Sequence, residues 1–259
     1  MNLSTFCGRL DDRLRTDAYA DLDASANGLQ VGPDDSGRAD PDIDRAAFAV
    51  DAAVETAERA ADARADVLCV HHGLFWGGFE RATGSTYDRL TPFFANDIAL
   101  YVSHLPLDGH PEIGNAAGIA DTLGLQDREP FGALGPEHIG LRGHLSDGVA
   151  PDDLYDRLAT ECDPERGVRH LDFGPDRIEN VAIATGSAAD WLDEAVEAGA
   201  DAFITGEGKQ AVYHEAREAG IHVYLAGHYA TETFGVRSLQ SLAGEWGIET
   251  TFLDCPTGL

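Results

Sequence analysis

The stretch DVLCVHHGLFW, residues 66–76, joins a short apolar run to two adjacent histidines, a glycine and two aromatics. A run of five apolar-rich residues bounded by polar punctuation reads as a buried strand. What surrounds it decides the fold. Upstream, AAFAVD (46–51) is another apolar run, and AAVETAERAADARA after it has the 3.6-residue spacing of a helix. Downstream, TYDRLTPFFAND (86–97) reads as a helix and IALYVS (98–103) as a third strand. EIGNAAGIADTLGL (112–125) is then helical. Strands alternating with helices predict βαβ units and a largely parallel sheet.

The second half repeats the alternation. IGLRGHLS (139–146) and VRHLDFG (168–174) read as strands on either side of the helix APDDLYDRLATEC (150–162). VAIATG (181–186), DAFITG (201–206), IHVYLAG (221–227) and TTFLDC (250–255) read as further strands, with helices over 187–200, EGKQAVYHEAREAG and about 229–246. The expected architecture is two interlocked α/β halves, 1–125 and 126–259, with mostly parallel or mixed sheets flanked by helices and a site in the cleft between them.

Composition narrows the function classes. The chain has 46 acidic and 18 basic residues for a formal charge of -28, and Lys209 is its single lysine. Such acidity repels phosphates, which disfavours nucleic acid and anionic membranes as partners. Acidity spread over the chain with almost no lysine suits a concentrated-salt cytoplasm, where screening suppresses self-repulsion. Cys7, Cys69, Cys162 and Cys255 form no C-x-x-C pair, so they read as buried thiols of a reducing compartment. No apolar run approaches the ~18 residues of a membrane span, and MNLSTFCGRLDDRL lacks a signal-peptide layout, so the expectation is cytoplasmic.

Three strand ends carry the chemistry. DVLCV runs into His71 and His72; IALYVS into His104, with Asp108 four residues on; IHVYLAG into His228, with Glu232 four residues on. In open parallel sheets ligands bind beyond the carboxyl ends of the strands, so clusters distant in sequence can converge. His228 and Glu232 at i and i+4 share one face of a helix that starts after Gly227. Consecutive residues of a strand point to opposite sides, which suits His71 and His72 to serve two ions, one each. His71, His72 and His228 with Asp108 and Glu232 supply three nitrogens and two carboxylates, a set for two borderline divalent cations: zinc, iron, manganese or nickel. Two such ions outweigh two carboxylates in charge, which would hold an anion and lower the pKa of bound water. Each piece has an ordinary alternative. H-x-x-x-E is often a solvated ion pair and Asp108 can be a turn residue. Their joint occurrence at matching strand ends favours metal. His104 reads as a partner of Asp108 or a proton carrier. His110, His138, His144, His170, His214 and His222 read as structural or surface residues.

The stretches VHHGLFW, FFANDIALYVSHLPLDGHPEIGNAAGIADTLGL and TGEGKQAVYHEAREAGIHVYLAGHYATETFGVRSL, with NGLQVG at 27–32, resemble the Nif-three-like dinuclear metal-centre family, also labelled GTP cyclohydrolase one type two homologue, in its short form without an inserted domain. The likeness covers most of the chain and is loosest over about 126–180. It places the family's ligands on the same five residues, His71, His72, Asp108, His228 and Glu232, and puts Glu207 near the crevice. It implies a ring-shaped homohexamer with metal sites facing an internal cavity. The expected activity is hydrolysis of a small anionic, nucleotide-like substrate by a metal-activated hydroxide, GTP ring opening by the family label, with His104 or Glu207 moving the proton. The alternative is a non-catalytic metal-handling or assembly protein using the same ligands.

Overall fold

The computed structural model describes residues 1–33, 40–78 and 81–258. In chain order the elements are α1 (Leu3–Leu14), β1 (Gly28–Val31), β2 (Arg45–Asp51), α2 (Val54–Asp62), β3 (Val67–His72), α3 (Ser85–Ala95), β4 (Ala99–Val102), α4 (Leu105–Asp108), α5 (Asn115–Leu123), β5 (Gln126–Leu134), β6 (Glu137–Val149), α6 (Pro151–Glu161), β7 (Arg169–Leu171), β8 (Ile178–Ile183), α7 (Leu192–Glu197), β9 (Ala202–Thr205), α8 (Ala211–Ala219), β10 (His222–Leu225), α9 (His228–Glu245) and β11 (Glu249–Phe252). The result is a mixed α/β fold with two sheets flanked by helices.

Two compact units form. The first joins Met1–Leu107 to Val236–Cys255; the second is Asp108–Gly235 with the chain from Pro256 onward. This differs from the division expected near residue 126, for two packing reasons. The strand β11 pairs in parallel register with β2, Glu249 opposite Arg45 and Phe252 opposite Phe48, which draws the end of the chain into the first unit. The helix α5 buries Ala116, Ile119, Ala120 and Leu123 among Leu141, Leu154, Val181 and Ile183, which places it in the second.

The first unit carries a five-stranded sheet in the order β1-β4-β3-β2-β11. Its inner pairs are parallel, and β1 closes one edge antiparallel to β4. Val67, Leu68, Cys69 and Val70 of β3 are all buried, the signature of a strand covered on both faces. Removing the side chain of fully buried Leu68 beyond Cβ would cost about 2–5 kcal/mol. The amphipathic α1 buries Leu3, Phe6, Cys7, Leu10 and Leu14, and Asn2 caps it by accepting from the Thr5 N–H at 3.2 Å.

The second unit carries six strands in the order β5-β6-β8-β9-β10-β7. Only β8, β9 and β10 run parallel to their neighbours in this group; β5, β6 and β7 pair antiparallel. β5 lies at the sheet edge, which accommodates Pro130 where a central strand would lose a ladder hydrogen bond. Among the described residues no helix is long and apolar enough to cross a membrane.

Candidate functional site

In the first unit the carboxyl end of β3 brings its two histidines between the ends of the flanking strands. His71 is fully buried, and its Nδ1 lies 2.9 Å from the carbonyl oxygen of Ser103, just past β4. His72 Nδ1 lies 2.8 Å from Asp51 Oδ1 at the end of β2. Strand alternation alone would send the two side chains to opposite faces. The rings nonetheless sit 4.6 Å apart, with His71 held at Ser103 past β4 and His72 at Asp51 at the end of β2. His104 joins them, its ring 5.0 Å from that of His71 and 5.6 Å from that of His72. The three residues offer ligand atoms that all lie within 4.8 Å of one another.

Each of these rings meets an oxygen at Nδ1, the third being His104 with Asp23 Oδ1 at 2.9 Å. A carbonyl or carboxylate oxygen only accepts, so Nδ1–H donates and the neutral ring carries its lone pair on Nε2. Metal-binding imidazoles are held in this way, by an acceptor on the other nitrogen. The donor set therefore fits a borderline divalent cation.

Asp23 is the anchor of this arrangement. It also accepts from Ser25 N–H at 2.9 Å, Leu105 N–H at 3.0 Å and Asn27 Nδ2 at 2.8 Å. Asn27 in turn accepts from the His104 N–H at 2.7 Å. Burial pushes the Asp23 pKa up, but the hydrogen bond and charge of His104, with those from Asn27 and Ser25, bring it below the usual carboxylate value. Trp76 places its ring edge-on to His104 at 4.9 Å and is 45% exposed, while Leu74 and Phe75 pack on the core of their own unit. Gly73 serves a neighbour more than a turn. A Cβ there would sit 2.4 Å from Gln30 Nε2, and Gln30 Oε1 caps the Leu74 N–H at 2.9 Å.

In the second unit the parallel strands β8, β9 and β10 are followed by Gly186, Gly206 and Gly227. Gly186 and Gly206 make the floor on which the first turn of α9 sits. A Cβ on Gly186 would lie 2.2 Å from Glu232 Oε1, and one on Gly206 would lie 2.7 Å from His228 Cα. Glu232 is 3% exposed and its Oε1 lies 3.2 Å from His228 Nε2, as the i,i+4 spacing requires. Glu207, just after β9, meets the other ring nitrogen of His228, Nδ1 to Oε1 at 3.0 Å. Asp108 is also buried; its Oδ1 accepts from Asn115 Nδ2 at 2.8 Å and Thr185 Oγ1 at 3.1 Å. Asp108 and Glu232 offer ligand oxygens within 4.8 Å of each other.

Burial alone would lower the His228 pKa. The hydrogen bonds and charges of Glu232 and Glu207 outweigh it and push the pKa up to about 9. The protonated ring is thus favoured at this position.

The structure gathers His71, His72 and His104 in the first unit and Asp108, Glu207, His228 and Glu232 in the second. The sequence reading passed over Asp23, Asn27, Asp51, Asn115 and Thr185, which hold these side chains in place. Asp51 was legible in part, since it closes the apolar run AAFAVD just as His72 closes the next one. His110 is structural, its Nδ1 accepting from Glu112 and Ile113 N–H groups at 3.1 Å.

A family model described as Duf34/NIF3 (NGG1p interacting factor 3) matches residues 1–257. The chain is 52% identical over 260 residues to the GTP cyclohydrolase 1 type 2 homolog of Halobacterium salinarum, covering 100% of both chains. It is 39% identical to the protein of the same name from Archaeoglobus fulgidus, again over 100% of both chains. A solved structure from Thermus thermophilus matches 100% of both chains with a TM-score of 0.89 and 36% identity.

Proposed function

The chain belongs to the Duf34/NIF3 family, and we propose that it is a metal-dependent, hydrolase-like protein acting on a small anionic, nucleotide-type substrate. The observation that carries this reading is the state of three imidazoles, His71, His72 and His104, whose Nδ1 atoms each meet an oxygen acceptor while their ligand atoms gather within 4.8 Å.

We assign His71, His72, Asp108, His228 and Glu232 as ligands of two divalent ions, zinc, iron, manganese or nickel. The joining of the histidine set and the carboxylate set into one two-metal centre rests on the strand-end positions in the sequence and on the family resemblance. Bound divalent ions supply Lewis acidity and bring the pKa of coordinated water toward neutrality.

The chain's own residues orient and move protons. Ser103 and Asp51 fix the tautomers of His71 and His72. Asp23 does the same for His104, which we assign as the proton carrier. Glu207 holds the His228 ring, and with its side chain 43% exposed it also reaches solvent. The relative's name, GTP cyclohydrolase 1 type 2 homolog, directs the substrate choice to GTP, with ring opening as the reaction. The remaining assignments are a ring-shaped homohexamer, a cytoplasmic location and a concentrated-salt setting, supported respectively by the resemblance, the buried thiols of Cys7, Cys69 and Cys162 (Cys255 is half-buried) and the charge of -28.

The test is turnover of GTP and a panel of phosphoesters by protein loaded with each of the four metals. Metal-dependent product formation, lost in His72→Ala and Glu232→Ala together with bound metal, is the expected result. Reversible metal exchange with no turnover on any substrate would favour the metal-handling reading. Wild-type metal content in both variants would refute the ligand assignment.

A further inference from the structure

A second cluster of side chains able to hold a metal ion lies elsewhere in the second unit; its two histidines, His170 and His222, read in the sequence as structural or surface residues. The strands β7 and β10 pair antiparallel, with Tyr224 opposite His170 and Val223 opposite Leu171. One step further along this register sets His222 opposite Asp172. Alternate residues of a ladder share a face, so His170, Asp172, His222 and Tyr224 all stand on one side of this sheet edge.

The contacts follow from that register. His170 Nε2 lies 3.1 Å from His222 Nδ1, and His222 Nδ1 lies 3.4 Å from Asp172 Oδ1. All three ligand atoms fall within 4.8 Å of one another. Ligands about 2.0–2.1 Å from a tetrahedral ion stand roughly 3.3 Å apart, so these separations match a coordination shell. The orientation of His222 is built in. Its Nε2 donates to the carbonyl oxygen of Pro175 at 2.8 Å, which leaves the lone pair of the neutral ring on Nδ1, facing His170 and Asp172. The backbone accommodates this contact through Gly174, where a Cβ would sit 2.5 Å from His222 Cδ2. His170 is steadied by stacking on Tyr224, with ring centres 4.2 Å apart and planes 8° from parallel. His222 is 1% exposed, whereas the Asp172 side chain is 74% exposed, so the cluster is anchored inside and open on one side.

We propose that His170, Asp172 and His222 form a further metal site, for one borderline divalent cation of the zinc class, completed by water on its open side. The ion ties the edge strand β7 to β10. This site is separate from the residues assigned above: His222 begins β10, while His228 and Glu232 follow that strand's other end. Its ligands, two imidazoles and one carboxylate, select zinc, nickel or copper over magnesium or calcium.

Zinc titration of the full-length protein, followed by elemental analysis after gel filtration, tests this directly. His170→Gln should lose one zinc equivalent per chain, and Asp172→Asn, a change at an exposed side chain, should weaken that equivalent at least tenfold. His72→Ala and Glu232→Ala should leave it in place. Zinc-soaked crystals of the unmodified protein should show an anomalous peak bonded to His222 Nδ1 and His170 Nε2. Wild-type zinc stoichiometry and affinity in both folded variants would overturn the proposal and leave the pair as an imidazole–imidazole hydrogen bond. Absence of the anomalous peak would overturn it equally, whatever the variants' stability.

Discussion

Asp23 Oδ1 lies 2.9 Å from His104 Nδ1, and the carboxylate is 1% exposed. These residues are 81 positions apart. One buried anion orients an imidazole at a strand end and, through Ser25 and Leu105 N–H groups, ties its own loop to the start of α4 in the same unit. Its net lowered pKa keeps it charged at neutral pH even though burial opposes ionisation.

Asp23→Ala should therefore leave several donors without their acceptor. The expected loss is about 1–3 kcal/mol of stability. The tautomer of His104 should also change from Nδ1-protonated to a mixture. Thermal unfolding and 15N NMR of the ring nitrogens check both, and an unchanged tautomer would show that Asp23 does not orient His104.

Glu207 should matter through His228. Glu207→Ala removes the acceptor at 3.0 Å, and loss of such a partner typically costs 10–100-fold in metal affinity. Glu207→Gln keeps an acceptor oxygen and should restore most of it. Metal titrations of the three proteins decide the matter: equal affinities throughout would remove Glu207 from this role.

The metal-stripped protein should be less stable in alkali. Its His228 pKa is about 9, above the ordinary value of 6.5. A raised folded-state pKa gives stability that is fully present below the unfolded pKa and is lost as pH rises through the folded one. The unfolding temperature should thus fall as pH rises from 6.5 to about 9, and His228→Gln should flatten that dependence. An equally steep fall in the variant would place its origin elsewhere.

Gly186→Ala should disturb the carboxylate above it. Gly186 has φ 64°, and a Cβ there would lie 2.2 Å from Glu232 Oε1. Left-handed backbone costs an alanine roughly 1–2 kcal/mol before any displacement of Glu232. Lower stability together with lower bound metal is the expected pair of results, and elemental analysis reads the second. Wild-type metal content would mean that Glu232 moves aside without loss of binding.

The charge of -28 predicts a strong response to salt. Unfolding temperature should rise from low to multimolar potassium chloride as screening suppresses repulsion between surface carboxylates. A salt-independent unfolding temperature would contradict this.

The parallel strands of both halves were legible because a parallel strand buried on both faces is a short unbroken apolar run, as in VLCV and AFIT, whereas β1, antiparallel at a sheet edge, went unread. α9 was legible from its length and β11 from its position after it. β5 was not, because QDREPFGAL is an edge strand with exposed charges and a proline, and edge strands need no apolar run. The helix α1 went unread although Leu3, Phe6, Cys7, Leu10 and Leu14 have helical spacing.

Local chemistry was written in the chain by itself: which strands end in histidine, and that His228 and Glu232 share a helix face. Those depend on residue type and on periods of two and 3.6, which neighbours alone impose. Tertiary structure decided the rest. It chose Asp23 for His104, Asp51 for His72, Ser103 for His71 and Glu207 for His228. It also turned His170 and His222, unremarkable in sequence, toward each other through the register of β7 on β10. Such pairings join residues that only sheet order brings side by side, and no local period encodes sheet order.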